Sequence, residues 1–422
     1  MAKPQFGTTL ADNLIGTEFS DHIQGKAGND TITGAQGNDR INGGNGADTA
    51  VFSGAFSAYT IETHGNGHGP TTISGPDGTD MLIHIEQLSF SDVIVDVKTG
   101  EIVGAADGTV VVVHADGTFT AYQSDPEANT ALNDAVGATV DGETVLVGSG
   151  TFEIGSLLID QDITITGTEG TQINGGFYIG AGGDGTTIQN VTINDGAAVT
   201  GELGLVGVFV QADDVTIENS VFIGDGVSGT ADRGILTSIT DAQGLVITGN
   251  TIQGWDTGVY LNPGTDAQVT GNTLEDNYVG LSTDQDATSD VTVSGNTFTE
   301  SVFEQVGVGV LGANEDLSTQ IFDNTFEGTA PDVSVYLLAD DQIVTATQAE
   351  DTFIYTNPNV ALNESWIING FGTAGTSDHL DLGGATIDNE ATTPDGVTLT
   401  LSTGDQIQLA GVADFQDSWL VV

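Results

Sequence analysis

Along the first fifty residues apolar side chains are sparse and recur at a fixed interval. Leu14, Ile23, Ile32, Ile41 and Ala50 stand nine residues apart, each two positions after an Asp (Asp12, Asp21, Asp30, Asp39, Asp48), with Gly, Asn and Thr between. This spacing leaves room only for very short strands joined by tight turns. From about residue 125 the pattern changes. "EANTALNDAVGATV" carries apolar residues near helical spacing and predicts a short cap, and β-branched segments then recur between Gly, Asn and Asp: "DITITG", "TTIQNVTI", "GLVITGNTIQG", "AQVTGNTLED", "VTVSGNTFTE". Asn250, Asn272, Asn296 and Asn324 each precede a Thr and an apolar residue, at gaps of 22, 24 and 28 residues, with Asn219 and Asn190 as looser copies. A second strand follows each one, such as "TGVYL" or "VGVGVLG". Two or three strands per coil of just over 20 residues, with Asn at a fixed corner, predict a stacked solenoid in which the Asn side chains hydrogen-bond along the stack.

Charge changes this picture. The chain has 60 acidic residues against five Lys or Arg, a formal net charge of −55. Self-repulsion of that size opposes compaction and excludes nucleic acid as a partner, unless cations neutralise part of it. There is no cysteine to staple the fold, and metal bridges are the usual substitute. No segment reaches the ~18 apolar residues of a membrane span, and "MAKPQFGTTLADN" lacks the apolar core of a signal peptide.

In "GKAGNDTIT", "GAQGNDRIN" and "GGNGADTAV" Gly occupies positions one and four, Asp position six and an apolar residue position eight. One apolar side chain per repeat cannot offset the conformational entropy of nine residues, at roughly 1–2 kcal/mol each. A hard divalent cation held by Asp and by carbonyls that Gly exposes supplies the missing term. The pattern resembles the RTX, or haemolysin-type, calcium-binding nonapeptide G-G-x-G-x-D-x-U-x. The resemblance implies a parallel β-roll with two nonapeptides per turn, Asp21 stacked near Asp39 and Asp30 near Asp48, and Ca2+ between turns. It assigns the ligands to Asp21, Asp30, Asp39 and Asp48, with backbone oxygens from Gly28, Asn29, Gly37, Asn38 and Gly46. The outer copies depart from it: "GTEFSDHIQ" has Glu18 and Phe19 at small-residue positions, and the Asp12 copy lacks most of its glycines. Residues 55–104, through "GTDMLIHIEQLSFSD", resemble the short-stranded region that follows such repeats. His64 and His68 in "THGNGHG" read as solvated loop residues.

The coils of residues 126–340 resemble right-handed parallel β-helix proteins, many of which act on polysaccharides. The resemblance is one of fold. A lyase or epimerase of acidic sugars needs a cationic group and a base, yet Arg233 is the one basic side chain between residues 115 and 340. The Asp-Pro-His-Glu motif of mannuronan epimerases is absent. Asp213 and Asp214 read as solvated turn residues, and Asp232 with Arg233 as a structural pair. Asp284, Asp286 and Asp290 are spaced as an extra, incomplete cation loop, and Trp255 and Tyr260 are the candidate aromatics for holding neutral sugar. Toward the C-terminus, "WIINGF" followed by "DHLDLGG" resembles C-terminal domains of RTX exported proteins, and "DFQDSWLVV" the uncleaved type I secretion signal.

The expected fold is all-β: an N-terminal calcium-binding β-roll (1–54) with its extension (55–104), a right-handed parallel β-helix with an N-terminal cap (105–340), and a C-terminal β-rich secretion domain (341–422). The expected function is that of an extracellular structural, surface-layer, filament or adhesin component that self-associates or meets cell-surface polysaccharide, with a polysaccharide lyase or epimerase, or a carbohydrate-binding module, as the alternatives. Deleting residues 400–422 is expected to retain the protein in the cytosol of its producing cell, as read by fractionation; undiminished export contradicts the assignment of the secretion signal.

Overall fold

The computed structural model describes residues 4–63, 70–123, 130–199, 204–226, 231–238, 242–285, 289–310, 320–328, 330, 332–337, 343–345, 351–355, 365–372 and 378–421; His64, His68 and Asp286 lie outside them. The chain divides into two compact units, Met1–Phe152 with Ile163–Gln172, and Glu153–Asp162 with Ile173–Val422.

The first unit opens with six short strands, β1 (Pro4–Phe6), β2 (Asn13–Ile15), β3 (His22–Ala27), β4 (Thr31–Thr33), β5 (Arg40–Asn45) and β6 (Thr49–Val51). They alternate between two parallel sheets. Pro4 pairs with His22 and His22 with Arg40 in one, Asn13 with Thr31 and Thr31 with Thr49 in the other, so one turn of the roll takes two nonapeptides. The residue two positions after each of Asp21, Asp30, Asp39 and Asp48 points between the sheets, where Ile23, Ile32, Ile41 and Ala50 are buried. An antiparallel hairpin, β7 (Thr60–Thr63) and β8 (Thr71–Gly75), then interrupts the period. The winding resumes after it: β9 (Gly78–Ile83) adds in parallel to β5 and β10 (Gln87–Ser89) to β6, which brings Leu82 and Leu88 into the same core. The sequence-predicted cap forms as a helix, Ala131–Ala138, whose Leu132, Ala135 and Val136 are buried beside the strands Thr109–Val113 and Glu143–Val147.

The second unit is a parallel β-helix with three strands per coil. Ile217, Ile247, Val269, Val293 and Ile321 form one inward stack, Phe222, Ile252, Leu274 and Phe298 a second, and Ile235, Val259, Leu281, Val306 and Val333 a third. The column runs on through Asp351–Tyr355 and His379–Asp381. A separate five-stranded sheet contains Ser365–Asn369 and the hairpins formed by Ile387–Thr393, Gly396–Leu401 and Gln406–Ala410.

The Asn corner has the predicted ladder. Oδ1 of Asn272, Asn296 and Asn324 accepts the backbone N–H of Asn250, Asn272 and Asn296, each at 2.9 Å. Nδ2 of Asn250, Asn272, Asn296 and Asn324 donates inward to the carbonyls of Ile217, Ile247, Val269 and Val293. The two looser copies fall one position short of it. Asn190 and Asn219 have left-handed backbones (φ 58° and 51°), as do Gly249, Gly271, Gly295 and Asp323, each placed just before a ladder Asn; Ser220 occupies the rung and donates its N–H to Asn250 Oδ1. The corner is therefore a two-residue device, and Asn suits both places because it tolerates positive φ and can form the rung.

Asn272→Ala strands several buried polar groups at about 1–3 kcal/mol each and is expected to destabilise this unit by about 3 kcal/mol. Asn219→Gly meets the positive φ without strain and is expected to change stability by no more than about 0.5 kcal/mol. Urea unfolding followed by tryptophan fluorescence checks both, since Trp255, Trp366 and Trp419 all lie in this unit.

Candidate metal centre

Each loop of the roll starts at a Gly and delivers an Asp to the next strand, and the inner loops turn at a second Gly three residues on, where the two outermost have Leu10 and Phe19. The carboxylates face inward: Asp21, Asp30, Asp39, Asp48 and Asp80 are all buried. One oxygen of each rung is accounted for. Oδ1 of Asp30, Asp39, Asp48 and Asp80 accepts the backbone N–H of Asp12, Asp21, Asp30 and Asp39, respectively, at 2.7–2.8 Å. Glu86 Oε2 accepts that of Asp48 at 2.7 Å. Asp21 thus stacks on Asp39 and Asp30 on Asp48, as the resemblance to the RTX repeat implied.

The second oxygen separates outer from inner copies. Thr17 donates to Asp21 Oδ2 through its N–H (2.6 Å) and its hydroxyl (2.8 Å), and Thr8 donates to Asp12 Oδ2 in the same way. In the inner copies that Thr is replaced by Lys26, Ala35 and Gly44, all with left-handed backbones (φ 87°, 67° and 113°). There Oδ2 of Asp30, Asp39 and Asp48 is buried with no hydrogen-bond donor. A charged acceptor left so costs more than the ~1–3 kcal/mol of a neutral one. A bound cation would remove that cost.

Glycine shapes the space beside these oxygens. A Cβ on Gly25, Gly34 or Gly43 would fall on the carboxylate of Asp30, Asp39 or Asp48, and one on Gly28, Gly37 or Gly46 on the backbone of the adjoining loop at Leu10, Phe19 or Gly28. Gly28, Gly37 and Gly46 also have φ of 108°, 134° and 149°, which side chains resist. The Asn29 and Asn38 side chains are spent between turns, accepting from the N–H of Ala47 and Thr79 at 3.0 Å, so any ligand role of these residues falls to the backbone. Among the described residues no three His, Cys, Asp or Glu side chains converge on one point. The donor set is one carboxylate per loop with backbone carbonyls around it, which suits a hard, oxygen-seeking cation such as Ca2+. In its absence burial pushes the Asp39 carboxyl up to about 6, with the Asp21 charge adding to the rise and the Asp21 N–H opposing it. Burial likewise carries Asp80 to about 7 and raises Asp48.

The other candidates are built into the solenoid. Asp213 is a rung, donating its N–H to Asp184 Oδ1 and accepting from the N–H of Gln243. Asp214 sits at positive φ beside it. Asp232 Oδ1 accepts from the N–H of Leu205; Arg233 donates to the Ala231 carbonyl and lies 5.1 Å from the Tyr260 ring. Asp284 accepts from the Tyr260 hydroxyl, and Asp290 pairs with Asp266 between coils. Trp255 is 1% exposed, which corrects its reading as an exposed sugar platform: it follows Gly254 (φ 74°), whose turn points the indole into the coil. The pattern left Asp80 and Glu86 unassigned, although "GPDGTDMLI" has Gly, Gly, Asp and Leu at positions one, four, six and eight.

Comparison with known proteins gives two family matches. The model described as periplasmic copper-binding protein (NosD) matches residues 136–358, and the RTX calcium-binding nonapeptide repeat (4 copies) matches residues 15–50. No curated protein matches the sequence. Among solved structures the chain is similar to the extracellular lipase LipA from Serratia marcescens, at 11% identity and a TM-score of 0.23, over 100% of this chain and 40% of the lipase, so it spans less than half that protein's length. A hyperthermoactive exopolygalacturonase from Thermotoga maritima (12% identity, TM-score 0.25, 86% of this chain and 80% of that one) is also similar. So is the tailspike protein of E. coli bacteriophage HK620 in complex with pentasaccharide (9%, 0.27, 92% and 72%).

The raised carboxyls fix the sign of a pH effect. With a chelator present, the folded roll holds protons on Asp39, Asp48 and Asp80 that the unfolded chain releases near pH 3.8, so stability falls as pH rises from about 4 to 7. Asp77, Asp96, Asp116 and Glu143, whose carboxyls are held low, lose their contribution only below the ordinary carboxylate range. Calcium competes with the proton and is expected to reverse the slope. Thermal melts of the roll at pH 4.5 and pH 7.5, with EDTA and with calcium, check this; a chelated roll that melts higher at pH 7.5 contradicts it.

Proposed function

This chain belongs to the NosD family, whose model covers just over half of it, and on that premise we propose that it is a secreted, calcium-stabilised solenoid that serves as an extracellular structural component, in a surface layer, filament or adhesive coat. The family description names copper. Residues 136–358 contain no His, Cys or Met, the nitrogen and sulfur donors that copper selects, so the ion in this proposal is calcium and its place is the roll.

The buried, donorless oxygens of Asp30, Asp39 and Asp48 carry the reading. Sites made of one carboxylate per loop and carbonyls belong with calcium-rich surroundings, where extracellular modules bind with weak affinity. They favour a roll that sets after export. In the β-helix, Asp213, Asp232 and Asp284 all accept hydrogen bonds within the coils, which supports a scaffold ahead of a catalytic face. A stiff column of this kind, on a chain of net charge −55, is suited to joining neighbouring copies through divalent bridges.

Electron microscopy and size measurement in millimolar calcium are expected to show filaments or sheets that a chelator disperses. A monomer under both conditions contradicts the scaffold and moves the reading to an enzyme or a carbohydrate binder.

A further inference from the structure

A loop of the roll is complete only when another loop lies against it one turn further on. For the loop of residues 25–30 the partner is 43–48, and four contacts define the pair. The Gly28 N–H donates to the Asn45 carbonyl (2.9 Å), the Ala47 N–H to Asn29 Oδ1 (3.0 Å) and the Asp30 N–H to Asp48 Oδ1 (2.8 Å), while Gly46 is seated on the Gly28 carbonyl so closely that a Cβ there has no room. The loop of residues 34–39 holds the equally buried, donorless Oδ2 of Asp39, 3% exposed. Eighteen residues on from Asp39 the chain is at Ser57, in the short 3-10 turn that leads into the hairpin, and no nonapeptide is there to serve.

The partner comes from beyond the hairpin, with every contact reproduced. The Gly37 N–H donates to the Asp77 carbonyl (2.8 Å), the Thr79 N–H to Asn38 Oδ1 (3.0 Å) and the Asp39 N–H to Asp80 Oδ1 (2.7 Å), while Gly78, at φ 130°, sits on the Gly37 carbonyl. The separation is 41 residues in place of 18. Asp77 ties the hairpin down so that the loop arrives in register. Its carboxylate accepts from the Ser53 N–H (2.8 Å), the Ser53 hydroxyl (2.5 Å) and the Tyr59 hydroxyl (2.6 Å). The Tyr59 ring in turn lies against Gly75, the first glycine of the "GPDGTD" loop.

We infer that residues 75–80, which lie outside the matched repeat segment of residues 15–50, are a displaced repeat that with residues 34–39 forms a further calcium site between Asp39 and Asp80. This inference rests on the reading of the roll as calcium-binding. Asp80→Asn tests it while keeping an Oδ1 acceptor for the Asp39 N–H. Calcium titration by calorimetry is expected to find one ion fewer per chain in D80N than in the native protein, with the remaining ions bound as before. An unchanged ion count in D80N overturns the inference, whereas a native protein that binds no calcium overturns the reading of the roll itself. Should D80N not fold, anomalous diffraction from native crystals grown with terbium decides. A peak between the loops of residues 34–39 and 75–80 supports the site, and peaks confined to the earlier loops overturn it.

Discussion

A carboxylate oxygen buried without a donor is the constraint on which the roll depends. The repeat contains one apolar residue in nine, too little to compact a chain of this charge by hydrophobic burial alone. Its loops bury Asp30, Asp39 and Asp48 beside that thin apolar core, each holding one oxygen in a backbone rung and one facing no donor. Such loops are unfavourable by themselves, and in the proposed reading a bound cation offsets that cost and becomes part of the fold.

The two solenoids answer the same problem with near-isosteric side chains. Both put a short polar residue at a corner whose Oδ1 accepts the N–H of the preceding turn. In the β-helix the residue is Asn, whose Nδ2 donates to an inward carbonyl, so Asn250, Asn272 and Asn296 need nothing from outside. In the roll it is Asp, which has no donor of its own when ionised. Replacing an amide by a carboxylate removes the inward donor and leaves an oxygen without a partner, a place the proposed calcium would fill. The outermost copies show a third solution: Thr8 and Thr17 supply the missing donors to Asp12 and Asp21.

Much of this was legible in the sequence. The nine-residue period, through its resemblance to the RTX repeat, implied Asp21 on Asp39 and Asp30 on Asp48, and Asn250, Asn272, Asn296 and Asn324 marked their corner, because a stack repeats its chemistry wherever it repeats its geometry. What escaped had physical reasons. The hairpin broke the period before Asp80, so a complete Gly-Gly-Asp-Leu repeat looked like an ordinary strand. Asn190 and Asn219 misled by one position, since the left-handed residue and the rung accept the same side chain. Trp255 looked exposed because its direction is set by the backbone of Gly254, which residue type alone does not reveal.

Hydrogen exchange at single amides addresses the cation's role most directly. The N–H groups of Asp12, Asp21, Asp30 and Asp39 donate to the rungs and report whether the turns stay closed. At neutral pH they are expected to be strongly protected with calcium and to exchange rapidly once it is chelated, while the Asn250, Asn272 and Asn296 amides of the β-helix keep their protection in both states. Equal protection of the Asp amides with and without calcium would contradict the account.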